Sequence, residues 1–222
     1  QKADEAYQKN DFAQALTLYQ EFASSAQADA LYRAQLRVVA SQYMLGQYLN
    51  AAQSAFSFPL PQQDLWRARF LLYRIQTAQR VKNQYRAILP DTSQDNASLE
   101  NLTQAQWDEK ITQDFEQLWK LKSFLKNIPV CQETFILNLE DTDQKAIATL
   151  LDFVTLLWTD YLLAQPTVQP LPAAVAWQVS SASAPSHSAA AKALSIMKQA
   201  AHLGGKNRAD ARLIWQAKTF TL

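Results

Sequence analysis

The sequence is short of glycine, with only Gly46, Gly204 and Gly205 among 222 residues. All-β folds and phosphate-binding loops both depend on glycine, because their turns require a backbone with positive φ. The scarcity argues against both classes. It is the strongest compositional indication that the chain is helical.

Cysteine and histidine are also scarce. The single cysteine, Cys131, excludes an intramolecular disulfide and any zinc site built on cysteines. The histidines, His187 and His202, lack the spacing of a metal-binding motif, so we expect no metal site and no cofactor. A cysteine nucleophile would need a nearby histidine, and both lie far along the chain. Cys131 is therefore predicted to be a buried structural thiol.

Neither charge nor hydrophobicity points to nucleic acid or membrane. The formal net charge is +1, whereas nucleic-acid-binding domains usually carry a basic stripe. No apolar run approaches the roughly 18 residues of a transmembrane helix. The chain begins at Gln1, which either a removed signal peptide or a cloned fragment would explain, and an exported or periplasmic location is favoured.

The first sixty residues contain an internal repeat. Residues 6–22 and 42–58 align at an offset of 36. The matched pairs are Tyr7 with Tyr43, Asn10 with Gly46, Phe12 with Tyr48, Ala15 with Ala51, and Phe22 with Phe58. Asn and Gly tolerate the left-handed conformation in which one helix ends. The aromatic residue then opens the next helix, and the alanine permits a close crossing of the two.

This pattern resembles the tetratricopeptide repeat (TPR), in which glycine, tyrosine and alanine mark the turn between two helices. Residues 46–51 match that core, and residues 10–15 match it with Asn in place of Gly. The TPR period is about 34 residues, so the offset of 36 implies a two-residue insertion in the first connection. The first repeat lacks most of its first helix. The resemblance implies antiparallel helix pairs stacked as a solenoid.

Helical spacing continues beyond the repeats. The predicted helices cover residues 62–80, 103–127, 145–164, 189–203 and 207–220, with capping boxes expected at Thr103–Gln106 and Asp141–Gln144. A short extended piece is predicted at residues 134–139. Trp107, Trp119 and Trp158 fall on helix faces and are predicted to be core residues. Trp177 lies in a loop, where it either plugs the domain or anchors a partner.

The predicted fold class is all-α, in two parts. Residues 1–88 form TPR-like helical repeats, and residues 89–222 form a less regular helical pack. A Pro- and Ser-rich loop at residues 165–188 interrupts the second part. Neither part shows a catalytic, metal-binding or cofactor-binding constellation, so we expect no enzyme.

The TPR resemblance implies a protein–protein interaction or scaffolding module, as part of a larger chain or complex. The partner, a protein or a peptide, would bind a concave face formed by the first helix of each pair. Residues 30–45 and 62–80 would supply this face. The predicted partner-binding residues are Tyr32, Arg33, Arg37, Arg67 and Arg74.

Two other interpretations remain open. Residues 207–218 resemble the helical leader of exported bacterial proteins related to α2-macroglobulin. That family's Cys-Gly-Glu-Gln thioester motif is absent, so this resemblance implies at most an exported helical adaptor. The second alternative is a helical-solenoid enzyme that has no recognisable motif. The sequence leaves the oligomeric state open.

Overall fold

The structure is a computed structural model that describes residues 1–92, 98–137, 147–165 and 189–203. These residues form nine α-helices and two 3-10 turns, and no strand occurs among them. The predicted all-α class is therefore confirmed for the described part of the chain. The chain divides into two compact units, residues 1–121 and residues 122–222.

The first unit contains six α-helices and one 3-10 turn. They are α1 (Lys2–Gln8), α2 (Phe12–Ala23), α3 (Ala28–Met44), α4 (Tyr48–Ser57), α5 (Asp64–Gln84), the turn Leu99–Asn101 and α6 (Gln104–Lys120). Each helix packs against the next along the chain, and α3 also packs against α5. Like α3, helix α5 contacts three other helices, and it contributes many residues to the core. Its fully buried apolar residues are Ala68, Phe70, Leu71, Leu72, Ile75, Ala78 and Val81.

The turns after α1 and α3 have the same construction. Asn10 has φ +60° and Gly46 has φ +74°, as the sequence predicts. The Asn10 N–H donates to the Tyr7 carbonyl at 3.1 Å, and the next N–H donates to the Ala6 carbonyl at 2.9 Å. The bonds around Gly46 repeat this pattern at 3.0 and 2.9 Å. Both helices therefore end in a Schellman motif.

The helices that follow these turns also begin as predicted. Helix α2 begins at Phe12 and α4 at Tyr48. Ala15 and Ala51, one turn into each helix, are fully buried. A side chain larger than a methyl group would therefore have to displace neighbouring core residues at both positions.

Helix α6 begins where its sequence predicts. The Gln106 N–H donates to Thr103 Oγ1 at 3.2 Å, and the Thr103 N–H donates to Gln106 Oε1 at 2.9 Å, which confirms the capping box. The predicted helix to residue 127 ends earlier, at Lys120, and a one-turn helix follows. Trp107 and Trp119 are buried, as predicted.

The second unit contains α7 (Lys122–Leu125), the 3-10 turn Val130–Gln132, α8 (Leu150–Leu163) and α9 (Ala189–Leu203). Helix α8 packs against α7 and α9. Trp158 of α8 is buried as predicted, and Lys192 Nζ of α9 lies 5.3 Å from the centre of its ring. The described part of this unit is thus a helical pack built around α8.

The predicted start of α8 at residue 145 is wrong, because residues 147–149 are not helical. Thr149 has an extended backbone and forms a bridge with Pro129, and the Leu150 N–H donates to the Ile128 carbonyl at 2.8 Å. The helix then begins under a second capping box, formed by Thr149 and Asp152. The cap predicted at residues 141–144 lies outside the described residues.

Two other predictions in this unit are wrong. Residues 134–136 form a turn rather than an extended piece, since the Ile136 and Leu137 N–H groups both donate to the Glu133 carbonyl. Cys131 is exposed rather than buried, because the turn directs its neighbour Val130 into the core. Most of the predicted loop at 165–188, the helix at 207–220 and the α2-macroglobulin-like segment at 207–218 lie outside the described residues.

Candidate functional site

The predicted partner-binding residues lie on two helices of the first unit. Tyr32, Arg33 and Arg37 belong to α3, and their side chains meet residues of α1 and α5. Arg67 and Arg74 belong to α5, and their side chains lie against α6. The structure thus groups the three α3 residues and places the two α5 residues elsewhere.

Arg33 joins α3 to α1 through a carboxylate. Its Nη2 donates to Asp4 Oδ1 at 3.2 Å, and the Tyr19 hydroxyl of α2 donates to the same oxygen at 2.7 Å. Partial burial works to raise the pKa of Asp4, but these hydrogen bonds and the Arg33 charge outweigh it and lower the pKa. Burial and the bond to Asp4 raise the pKa of Tyr19. Asp4 is therefore an ionised acceptor that ties three helices together.

Arg37 lies one turn further along α3. Its guanidinium carbon is 4.2 Å from the ring centre of Tyr7 on α1, a cation–π distance. Burial raises the pKa of Tyr73 on α5, and Tyr7 adds to the rise whereas Arg37 opposes it. The contact of Arg37 with Tyr7 thus joins α3 to α1, and both side chains act electrostatically on Tyr73 of α5.

Tyr32 continues this arrangement between α3 and α5. Its ring centre lies 5.9 Å from that of Trp66 and 6.0 Å from that of Phe70. Arg69 in turn holds its guanidinium 4.5 Å from the Trp66 ring centre. The guanidinium of Arg69 thus lies beside the Tyr32–Trp66 contact, on its α5 side.

A third cation–aromatic pair lies at the far end of α5. Arg80 is exposed, holds its guanidinium 4.5 Å from the ring centre of Tyr48 and donates from Nη2 to the Tyr48 hydroxyl at 3.0 Å. Arg69 and Arg80 are eleven residues apart, close to three helical turns, and so they lie on one side of α5. We call this surface the arginine–aromatic face; its members are Tyr7, Tyr32, Arg33, Arg37, Tyr48, Trp66, Arg69 and Arg80.

Sequence reasoning missed Arg69 and Arg80. Arg69 follows Trp66 by three residues, a spacing that brings two side chains together on a helix surface and could have revealed it. Arg80 offered no such signal, because Tyr48 belongs to another helix.

Arg74 occupies a different environment. Its Nε lies 3.0 Å from Asp114 Oδ2 of α6, without hydrogen-bond alignment, and its guanidinium is 4.2 Å from the ring centre of Phe56. Asp114 is 1% exposed. Burial raises its pKa to about 6 although Arg74 and then Lys110 oppose the rise. This ion pair joins α5 to α6 inside the unit.

Among the cavities lined by described residues, two open on the first unit. One, of about 370 Å³, is lined by Arg67, Gln113, Glu116, Gln117, Lys120 and Leu121. The other, of about 350 Å³, lies among α1, α2 and α3 beside Asp4 and Tyr19, and the half-exposed Phe22 contributes to its wall. Neither cavity lies over the three cation–aromatic pairs.

The described residues hold no cluster of three or more His, Cys, Asp or Glu side chains that could bind a metal ion. No helix in the described ranges is long and apolar enough to span a bilayer. Comparisons of the chain with protein-family models, curated proteins and solved structures give no match. The interpretation of the site therefore depends on its own geometry, in which exposed or half-buried arginines lie over half-buried aromatic rings.

Proposed function

We propose that this chain is a protein- or peptide-binding module and that its partner lies on the arginine–aromatic face. In this proposal residues 1–121 pack as a TPR-like stack of three antiparallel pairs, α1 with α2, α3 with α4, and α5 with α6. The first helices of the pairs then form one continuous surface. The observation that carries the proposal is the recurrence of one turn, with its aromatic contact, in two successive pairs.

The recurring contact joins the last turn of one helix to the first residue of the next. Tyr7 and Phe12 have ring centres 5.2 Å apart at an interplanar angle of 74°. Tyr43 and Tyr48, each 36 positions later, are also 5.2 Å apart at 66°. Such edge-to-face geometry, reproduced with the same backbone hydrogen bonds, supports one structural unit that occurs twice.

The order of contacts supports the proposed helix directions. Between α5 and α6, Arg74 pairs with Asp114, whereas the later Lys82 pairs with the earlier Asp108. This order supports an antiparallel pair. Between α1 and α3 the order is the same on both: Asp4 meets Arg33, and then Tyr7 meets Arg37. Parallel first helices of this kind are what a stack of pairs requires.

The residue types on the face favour binding over catalysis. Tyr, Trp and Arg are enriched among the residues that dominate binding energy in protein interfaces, and Tyr and Trp bury large areas at little cost in rotamer entropy. Among the described residues, the carboxyl group whose pKa is raised toward neutrality is that of Asp114. Its side chain is buried against Arg74, so a structural role explains the raised pKa.

The test is a selection for peptides that bind the full chain, from a random library displayed on phage. Affinities of the selected peptides would be measured by titration calorimetry against the parent and Arg37→Glu/Arg69→Glu. We expect the double variant to lose at least about tenfold in affinity, since each tenfold corresponds to about 1.4 kcal/mol. Its helicity should stay near that of the parent, and circular dichroism checks that the variant is folded at the temperature of the titration.

A charge-matched control distinguishes the effect of the face on binding from the effect of overall charge. Arg86 and Lys120 are exposed and lie outside the face, so Arg86→Glu/Lys120→Glu should change affinity less than about twofold. Peptides that bind both double variants as tightly as the parent would disprove binding on this face.

A further inference from the structure

The cavity of about 350 Å³ among α1, α2 and α3 is an open groove with mostly apolar walls. Its walls include the first residues of α1, Leu18 and Phe22 of α2, and Ala30 and Ala34 of α3. Phe22 is 50% exposed, so one wall presents an aromatic ring to solvent. We call this cavity the α2–α3 groove. An exposed apolar wall inside a concave surface is typical of a place where another apolar surface binds.

The repeat of 36 residues shows how such a groove is filled elsewhere in the unit. Helices α2 and α4 begin at residues 12 and 48, and helices α3 and α5 begin at residues 28 and 64. Both pairs of starts are 36 positions apart, as are the turns at Asn10 and Gly46. The residues of α2 and α3 that line the groove therefore have equivalents 36 positions later in the chain.

The α3 wall of the groove corresponds to a covered surface of α5. Ala30 and Ala34 are four residues apart and share one side of α3, and their equivalents are Trp66 and Phe70. The ring centre of Tyr32, in the first half of α3, lies 5.9 Å from that of Trp66 and 6.0 Å from that of Phe70. A helix placed against α3 as α3 is placed against α5 would therefore bring its own side chain over the two alanines.

The α2 wall gives the same result. The equivalent of Phe22 is Phe58, which is only partly exposed because it packs against a buried cluster that includes Ala34 and Val38 of α3. Helix α1 has seven residues whereas α3 has 17, and by the offset of 36 it corresponds to residues 38–44. Helix α1 thus supplies no counterpart of Tyr32 or Ala34, and the ring of Phe22 stays half exposed.

We propose that the α2–α3 groove binds an amphipathic α-helix of a partner protein, in line with α1 and oriented as the first half of α3 is against α5. This helix carries a large aromatic residue at the position of Tyr32, since Ala30 and Ala34 leave more space than Trp66 and Phe70. An apolar helix face in an apolar groove is a common mode of peptide recognition. The site shares the 36-residue repeat with the proposed function but uses none of its cation–aromatic pairs.

The experiment uses the full chain and three fluorescein-labelled peptides with the sequence of residues 27–36. A lactam bridge between two solvent-facing positions holds each peptide helical, because so short a helix is unstable in water. The peptides carry Trp, Tyr or Ala at the position of Tyr32. Fluorescence anisotropy should show that the Trp peptide binds at least about tenfold more tightly than the Ala peptide, with the Tyr peptide between them. Equal binding of all three, or no binding of the Trp peptide, would overturn the proposal.

Two pairs of variants identify the wall responsible. Phe22→Gln/Ala30→Gln removes the exposed ring and fills space above the alanines, so the Trp peptide should bind at least about tenfold more weakly. Ala13→Gln/Met44→Gln is the matched control, since it changes an exposed alanine and an exposed apolar residue of α2 and α3 outside the groove. Its effect should be less than about twofold, and circular dichroism verifies that both variants are folded. Equal losses in the two pairs would contradict binding in the groove.

A photoreactive residue identifies what occupies the groove. Benzoylphenylalanine in place of Phe22 keeps an aromatic side chain there, and mass spectrometry locates the cross-link formed on irradiation. A cross-link to the Trp peptide supports the proposal. A cross-link to a second copy, or to a distant segment of the same chain, that the peptide does not displace would overturn it.

The outcomes also separate this inference from the proposed function, because the two sets of variants share no residue. If the Trp peptide loses binding to Arg37→Glu/Arg69→Glu but not to Phe22→Gln/Ala30→Gln, it binds the arginine–aromatic face and the groove inference is wrong. If the library-selected peptides fail to bind the face while the Trp peptide depends on Phe22 and Ala30, the groove inference stands and only the face is overturned.

Discussion

Asp114 shows how burial shapes the behaviour of a single charged residue. Its side chain is almost fully enclosed, and its pKa is raised to about 6 from an ordinary value of 3.8. As the pH rises through this interval, the unfolded chain releases the proton before the folded one does. Folding stability due to Asp114 is therefore highest below pH 3.8 and is lost as the pH rises to about 6.

This behaviour predicts the pH dependence of Asp114→Asn, which removes the titrating group. The free energy of unfolding of the variant, minus that of the parent, should increase from pH 4 to pH 7. We expect an increase of between about 1 and 3 kcal/mol, at 1.36 kcal/mol per pKa unit. Urea unfolding at both pH values measures this difference. Asp4 has a lowered pKa and acts in the opposite direction, but it is present in both proteins and cancels. Parallel pH profiles would show that Asp114 does not titrate in this range.

Arg74 and Arg69 are two arginines of one helix with different predicted roles. Arg74 neutralises Asp114, so Arg74→Met should leave a buried carboxylate without its cation and lower the free energy of unfolding by roughly 2–4 kcal/mol at neutral pH. Arg69→Met, the matched control at a face residue, should cost less than about 1 kcal/mol. Urea unfolding distinguishes them. Equal costs would contradict the assignment of Arg74 to the core.

At the scale of the secondary-structure elements, the sequence predicts the start of a helix well where it offers only one candidate N-cap residue. The pattern around Thr103 identifies the start of α6, and the aromatic residues after Asn10 and Gly46 mark the starts of α2 and α4. The start of α8 is missed, because residues 141–144 offer an equally good cap. The structure selects Thr149 through its bridge to Pro129, a contact between segments that local sequence does not encode.

The face itself is only partly predictable for the same reason. Arg33 and Arg37 lie on it because their spacing on α3 follows from helical periodicity. Arg67 and Arg74 have similar periodicity on α5 but lie against α6, and only the packing of that helix distinguishes their side of α5 from that of Arg69. Helical spacing predicts which residues share one side of a helix. Which side is exposed depends on how the neighbouring helices pack against it.

The turn after α3 allows a test of the repeated element. A Cβ at residue 46 would meet no atom within 4 Å, so a substitution there costs energy through its backbone φ of +74° alone. Gly46→Val should lower the free energy of unfolding by roughly 1–3 kcal/mol. Gly46→Asn, which copies the residue at the equivalent position 10, should cost less than about 1 kcal/mol. Similar costs for Val and Asn, measured by urea unfolding, would contradict the equivalence of the two turns.

At the scale of the whole molecule, the three cation–aromatic pairs of the arginine–aromatic face lie within residues 1–121, which form one of the two compact units. The core of this unit contains fully buried residues from both α5 and α6, among them Leu71, Ile75 and Trp107. A unit of this size with a core of its own is typical of a domain that folds independently. We therefore expect a fragment of residues 1–121 to be helical and to unfold cooperatively.

The same fragment tests whether residues 1–121 alone bind the partner. If the arginine–aromatic face is sufficient, residues 1–121 should bind the library-selected peptides within about twofold of the full-length affinity, because all the contacting side chains are retained. Circular dichroism and urea unfolding establish that the fragment is folded, and titration calorimetry then compares its affinity with that of the full chain. The Arg37→Glu/Arg69→Glu change, made in the fragment, should weaken binding by the same factor as in the full chain. A folded fragment that fails to bind would show that residues 122–222 contribute to the site, and that the face is not sufficient to bind the partner.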